Sequence, residues 1–148
     1  MSWLALVGCQ SGPDFNGEVE KVVLLSSPAP IDVDGRSGAD GFLVKIYAFS
    51  RGVARPVSIQ HGSVEFQLYS RGKDRKKDDD PLKIWSFEAD DLASYRTESM
   101  VGVGYSLILR WGDAAPSGAV EIVARLKRES GELVYSRPVS LALSLPQN

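Results

Sequence analysis

The sequence predicts an all-β chain folded as two packed antiparallel sheets, and three observations carry that prediction. Apolar and polar residues alternate with period two along several stretches. Gly, Pro and Asp clusters separate those stretches at roughly 10–20-residue spacing, as turns between strands do. The only segment with helical character is a turn or two long, so the crossover helices that a parallel sheet requires have no place in the chain.

The elements follow in order. Val19–Leu25 and Phe42–Phe49 are the first two expected strands, and Val57–Gln60 is a minor one that Pro56 confines to an edge. Ser63–Tyr69 is the cleanest, with Val64, Phe66 and Leu68 on one face and Glu65 and Gln67 on the other. Leu82–Phe87 comes next, then the short helical segment Ala89–Ser94, then Gly104–Trp111. In Val120–Lys127, Val120, Ile122, Ala124 and Leu126 alternate with Glu121, Arg125 and Lys127. Val139, Leu141, Leu143 and Leu145 alternate with Ser140, Ala142 and Ser144 in the last strand. Seven or eight strands of this kind suit an immunoglobulin-like or transthyretin-like sandwich, with a small β-barrel as the alternative. The core is expected to hold Val64, Phe66, Leu68, Val120, Ile122, Leu126, Leu141 and Leu143, with Glu65, Gln67, Glu121 and Arg125 outside.

Composition bounds the function. The chain has 148 residues, 43% hydrophobic and 24% charged, enough to build one core over 19–148. A net charge of −2 gives no electrostatic footprint for nucleic acid. The single cysteine, Cys9, excludes an intramolecular disulfide. His61, also single, lies in Gln60-His61-Gly62, where a turn accounts for it. One His and one Cys cannot assemble a His/Cys zinc site, and no Gly-x-Ser-x-Gly elbow or Walker loop accompanies them.

Three segments remain as candidate sites. Asp32, Asp34 and Asp40 lie in Asp32-Val33-Asp34-Gly35-Arg36-Ser37-Gly38-Ala39-Asp40-Gly41. Alternating acids among glycines offer the hard oxygens and tight bends that Ca²⁺ uses. The loop departs from the EF-hand pattern at Arg36, Ser37 and Leu43, and an ordinary Asp/Gly turn explains it better. No cofactor is otherwise expected. The tract Arg71–Asp80 holds five bases and four acids, whose adjacent opposite charges suit a solvated loop better than a headgroup-binding finger. Trp85 and Trp111 are candidates for an aromatic face that stacks on sugar rings, weighed against ordinary packing.

Leu6-Val7-Gly8-Cys9 ends the N-terminal apolar run, and this small–Gly–Cys pattern resembles the lipobox of bacterial lipoproteins. The resemblance implies cleavage before Cys9 and acylation of its thiol, leaving a lipid anchor on the new N-terminus. Residues 1–8 are then a partial signal peptide, shorter than an export h-region of about 7–15 residues with its basic leader. Residues 9–18 become the lipidated Cys and a tether of about 30 Å when extended. Gln10, not Asp, after the Cys implies the outer membrane over the inner one. The competing expectation makes Met1–Val7 a first strand and Cys9 a small buried side chain. The run Gly102–Asp113, with Asp32-Val33-Asp34-Gly35, is similar to small lipoproteins of planctomycete-type bacteria, which bring no activity with them.

The expected function is therefore that of a lipid-anchored, periplasm-facing envelope protein. It acts as a non-catalytic binding or assembly module for an envelope protein partner. The alternatives are a calcium- or carbohydrate-binding accessory domain, and a hydrolase with a carboxylate site.

Overall fold

The computed structural model describes residues 18–27, 30–31, 41–70, 80–111 and 118–142. Nine strands and one short helix lie among them. The strands are β1 (Val19–Ser26), β2 (Gly41–Ser50), β3 (Ser63–Ser70), β4 (Lys83–Glu88), β5 (Arg96–Glu98), β6 (Val103–Arg110), β7 (Ala119–Lys127), β8 (Leu133–Tyr135) and β9 (Val139–Ala142). A helical turn α1 (Ala89–Leu92) runs into a 3₁₀ turn over Ala93–Tyr95.

All pairings are antiparallel and form two sheets, β1-β2-β6-β5 and β4-β3-β7-β8, with β9 also paired to β7. The sheets do not close, so the chain is a sandwich and the barrel alternative is set aside. The chain crosses from one sheet to the other after β2, β4 and β6.

Alternation decides the core. Val22 and Leu24 of β1, Phe42, Val44 and Ile46 of β2, and Tyr105, Leu107 and Leu109 of β6 line one inner face. Val64, Phe66 and Leu68 of β3 meet them from the other sheet, with Val120, Ile122, Ala124 and Leu126 of β7 and Leu141 of β9. The expected interior is thus present wherever it is described; Leu143 lies outside the described residues. β3 is flanked on both sides, by β7 over Ser63–Ser70 and by β4 over Ser63–Leu68.

Four expectations need correction. Gln67 is on the outer face, as its parity requires, yet only 7% exposed. Its strand is flanked on both sides: Val123 stands opposite it on β7 and Ile84 on β4, and the Tyr69 hydroxyl donates to its Oε1 at 2.8 Å. Val57–Gln60 forms no strand; a single bridge joins Val57 to Ala48, with the Val57 N–H donating to the Ala48 carbonyl at 2.8 Å. Trp111 falls one residue past β6, which ends at Arg110. β5 and β8 were not expected at all, being three residues each, too short to show a period. Glu65 and Arg125 point outward but pair with each other, half-buried. That hydrogen-bonded carboxylate holds the Arg125 pKa above its ordinary value against the opposing effect of burial.

The register sorts the connections between two poles. Val19 stands opposite Ser50, and Arg128, just past β7, donates from Nε to the Val19 carbonyl at 2.7 Å. One pole therefore gathers the start of β1, the 51–62 connection, α1, the β5–β6 turn and the β7–β8 turn. The connections β1–β2, β3–β4 and β6–β7 leave from the other. The Asp-rich loop and the charged tract belong to those, and Asp32, Asp34, Asp40 and residues 71–79 lie outside the described residues. Asp80, the end of the tract, is exposed.

Candidate functional site

A cleft of about 420 Å³ opens at the pole where β1 begins, between the 53–58 segment and the β5–β6 hairpin. That volume falls within the usual range of ligand sites, about 300–1,000 Å³. Val53, Pro56, Val57 and Val103 supply apolar lining, and Arg55, Ser58, Arg96, Glu98 and Ser99 supply polar groups.

Each wall has a local cause. The chain leaves β2 at Ser50, and Pro56, which lacks an N–H, cannot extend the ladder that Val57 makes with Ala48, so the return stays a single bridge. Two residues on, the buried Ile59 N–H donates to the Tyr105 hydroxyl at 2.8 Å, which fixes the segment over β6. Across the cleft, Ser99 and Gly102 exchange both main-chain hydrogen bonds at 3.1 Å, closing a two-residue turn over Met100 and Val101. Gly102 packs on the Pro56 ring so closely that a Cβ there would come within 2.9 Å of Pro56 Cδ. Arg55 ties the walls together, donating from Nη2 to the Met100 carbonyl at 3.3 Å. The turn thus holds Met100 98% and Val101 57% exposed on a braced support.

The cleft's charges are two guanidiniums and one carboxylate. Arg96 Nη2 and Glu98 Oε1 lie 3.0 Å apart, an exposed pair that contributes little to stability. Arg55 uses one donor of the five a guanidinium carries on the Met100 carbonyl. The arrangement suits a ligand rich in acceptors, such as a main chain or a carboxylate, lying on an apolar floor.

The residues expected as sites fall elsewhere. Trp85 and Trp111 are brought together, but toward the core and not on an outer face. Trp111 is 4% exposed, and Phe42 lies between the indoles, with centroids 6.0 Å from Trp85 and 5.7 Å from Trp111. The Trp85 indole N–H donates to the Arg110 carbonyl at 2.8 Å, satisfying the one polar atom of a half-buried ring. His61 is exposed, its Nδ1 3.8 Å from Glu129 Oε2. Cys9 and the candidate calcium ligands lie outside the described residues. Among the described residues no three His, Cys, Asp or Glu side chains gather as a metal site, and no helix is long and apolar enough to cross a membrane.

None of the cleft's polar residues stands out in the sequence. Arg55 and Arg96 are far apart in the chain, and no local pattern relates them. The one local pattern that could have marked the cleft is Ser99-Met100-Val101-Gly102, two apolar residues framed as a tight turn.

The class these observations define is an antiparallel β-sandwich with an apolar-floored, arginine-bearing cleft at the pole where β1 begins. No protein-family model matches the sequence, and no curated protein matches it.

Proposed function

We propose that this chain is a lipid-anchored envelope protein, tethered through Cys9 and facing the periplasm, whose sandwich is a non-catalytic binding or assembly module. The observation that carries the binding half of this reading is the cleft. It joins an apolar floor to arginine donors, and it sits at the end of the sandwich from which β1 and its N-terminal tether extend. In variable immunoglobulin domains that same end carries binding loops, a likeness of fold that lends the reading support by analogy alone. The anchor half rests on Leu6-Val7-Gly8-Cys9. A tether of nine residues after Cys9 keeps the cleft within about 30 Å of the bilayer, where an envelope partner is met.

The anchor is tested on the protein as its native host makes it. The wild-type protein is expected to partition into detergent and to carry a lipid mass increment on Cys9. Cys9→Ser is expected to lose both while remaining folded, because a hydroxyl cannot replace the thiol as acyl acceptor. Each buried CH₂ contributes about 0.8 kcal/mol, so losing two or three acyl chains shifts the variant entirely to the aqueous phase. Aqueous wild-type protein, or a Cys9→Ser variant that unfolds, refutes the anchor.

A further inference from the structure

We infer that two copies of this chain pair through the open edge of β1, joining their β1-β2-β6-β5 sheets into one. The inference gives the assembly reading above a partner, a second copy, and rests on that reading for its biological meaning.

Hydrogen-bond alternation separates the groups of β1 that face β2 from those that do not. The Ser27 N–H donates to the Leu43 carbonyl at 2.8 Å, so Leu25 with Lys45 and Val23 with Tyr47 are the next bonded pairs. The far side of β2 agrees: the Ala48 carbonyl, opposite Val22 in the register, is taken there by the Val57 N–H. Val22, Leu24 and Ser26 therefore turn their N–H and C=O away from β2. β1 is the last strand of its sheet, and these groups meet no hydrogen-bond partner among the described residues. Space lies beside them. A cavity of about 420 Å³ runs along residues 21–24 and is bounded across the sandwich by Arg137, Pro138 and Val139. The edge is closed at its start, where Arg128 Nε donates to the Val19 carbonyl at 2.7 Å.

The open stretch is complementary to itself, which is what a two-fold junction requires. An axis through Leu24 sets Leu24 against the second copy's Leu24 and Val22 against its Ser26, so every outward group of the three residues is bonded across the junction. On the outer face the same register lays Leu25, 51% exposed, on the second copy's Val23. Theirs is a non-bonded pair, in which side chains stand closest. Lys21 comes opposite Ser27, and no like charges face each other. Natural edges are blunted by charges, prolines or bulges. Here Glu20, Lys21 and the bulge between Val19 and Lys21 are confined to one end, and Val22-Val23-Leu24-Leu25-Ser26 carries none of these.

The test follows the full chain, produced without acylation, by sedimentation equilibrium over a concentration series, with reductant present so that Cys9 links no copies. A reversible dimer is expected. Ser26→Pro is expected to weaken it about tenfold or more, because the ring removes an outward donor that β2 does not use and obstructs the edge. Leu43→Lys, on the same face but one strand in from the edge, is expected to leave the dimer unchanged. Melting curves verify that both variants are folded. Register is read without reductant and with Cys9→Ser throughout. A mixture of Val23→Cys and Leu25→Cys chains is expected to form a disulfide several-fold faster than either chain alone, whether or not Ser26→Pro folds. A monomer at every concentration, a folded Ser26→Pro chain that dimerises as wild type does, dissociation by Leu43→Lys, or equal cross-linking in mixture and single variants overturns the inference. The dimer needs neither the acyl chains nor the cleft, which lies toward the opposite edge of the sheet, so failure of the anchor, of the cleft and of this junction are read separately.

Discussion

Phe66→Ala is expected to lower the stability of the domain by about 3–5 kcal/mol, enough to leave much of the population unfolded if the total lies near the low end of about 5–15 kcal/mol. Phe66 is fully buried on β3, with Trp85 opposite it on one neighbour and Ala124 on the other. Its ring meets Phe87 edge-on, centroids 6.0 Å apart at 75°. A strand hydrogen-bonded on both sides cannot move into the space a truncated ring leaves, so the cavity persists and its walls lose dispersion contacts. The measurement is urea or thermal unfolding, with a fall in melting temperature of roughly 10 °C. A shift of less than about 2 °C places Phe66 outside the core and refutes the packing described.

Gly62→Ala has the second largest expected effect, and its cause is backbone geometry. Gly62 ends the 51–62 connection at φ +83°, where a side chain is strained, and a Cβ there would lie 2.1 Å from the Lys127 carbonyl oxygen of β7. That obstacle is main chain in a paired strand and cannot rotate away. Moving Gly62 also disturbs its carbonyl, which accepts the Ala89 N–H at 3.0 Å at the start of α1. The left-handed conformation alone costs about 1–2 kcal/mol, and the collision brings the expected loss above about 3 kcal/mol. Gly131→Ala is the control: φ is +97° there, but nothing lies within 4 Å of the added Cβ. Equal losses in the two variants refute the steric account.

The sandwich was legible because its long strands advertise themselves. β3 and β7 each carry four or more alternations, and inner residues such as Val64, Phe66, Ile122 and Leu126 are buried as their parity demands. β5 and β8 were invisible because their stability comes from pairing with β6 and β7 and not from their own pattern. Trp85 and Trp111 were ambiguous for another reason. An indole in a half-buried strand suits a core wall or a binding face equally, and the Phe42 ring that engages both lies far from them in the chain. Gln67 shows the same limit on the polar side. Alternation told which face it was on, but burial on that face depended on Val123, Ile84 and Tyr69.

By itself, the sequence determined the fold class, the inner faces of β3 and β7 and the lipobox-like Cys9 motif, all of which are written in neighbouring residues. Tertiary structure alone decided the cleft. Arg55 meets the carbonyl of Met100 across 45 positions, and the Ile59 N–H finds the Tyr105 hydroxyl across 46. Such contacts exist only after two sheets have paired in one register, because side-chain periodicity reports what faces inward and carries no record of which distant residue waits there.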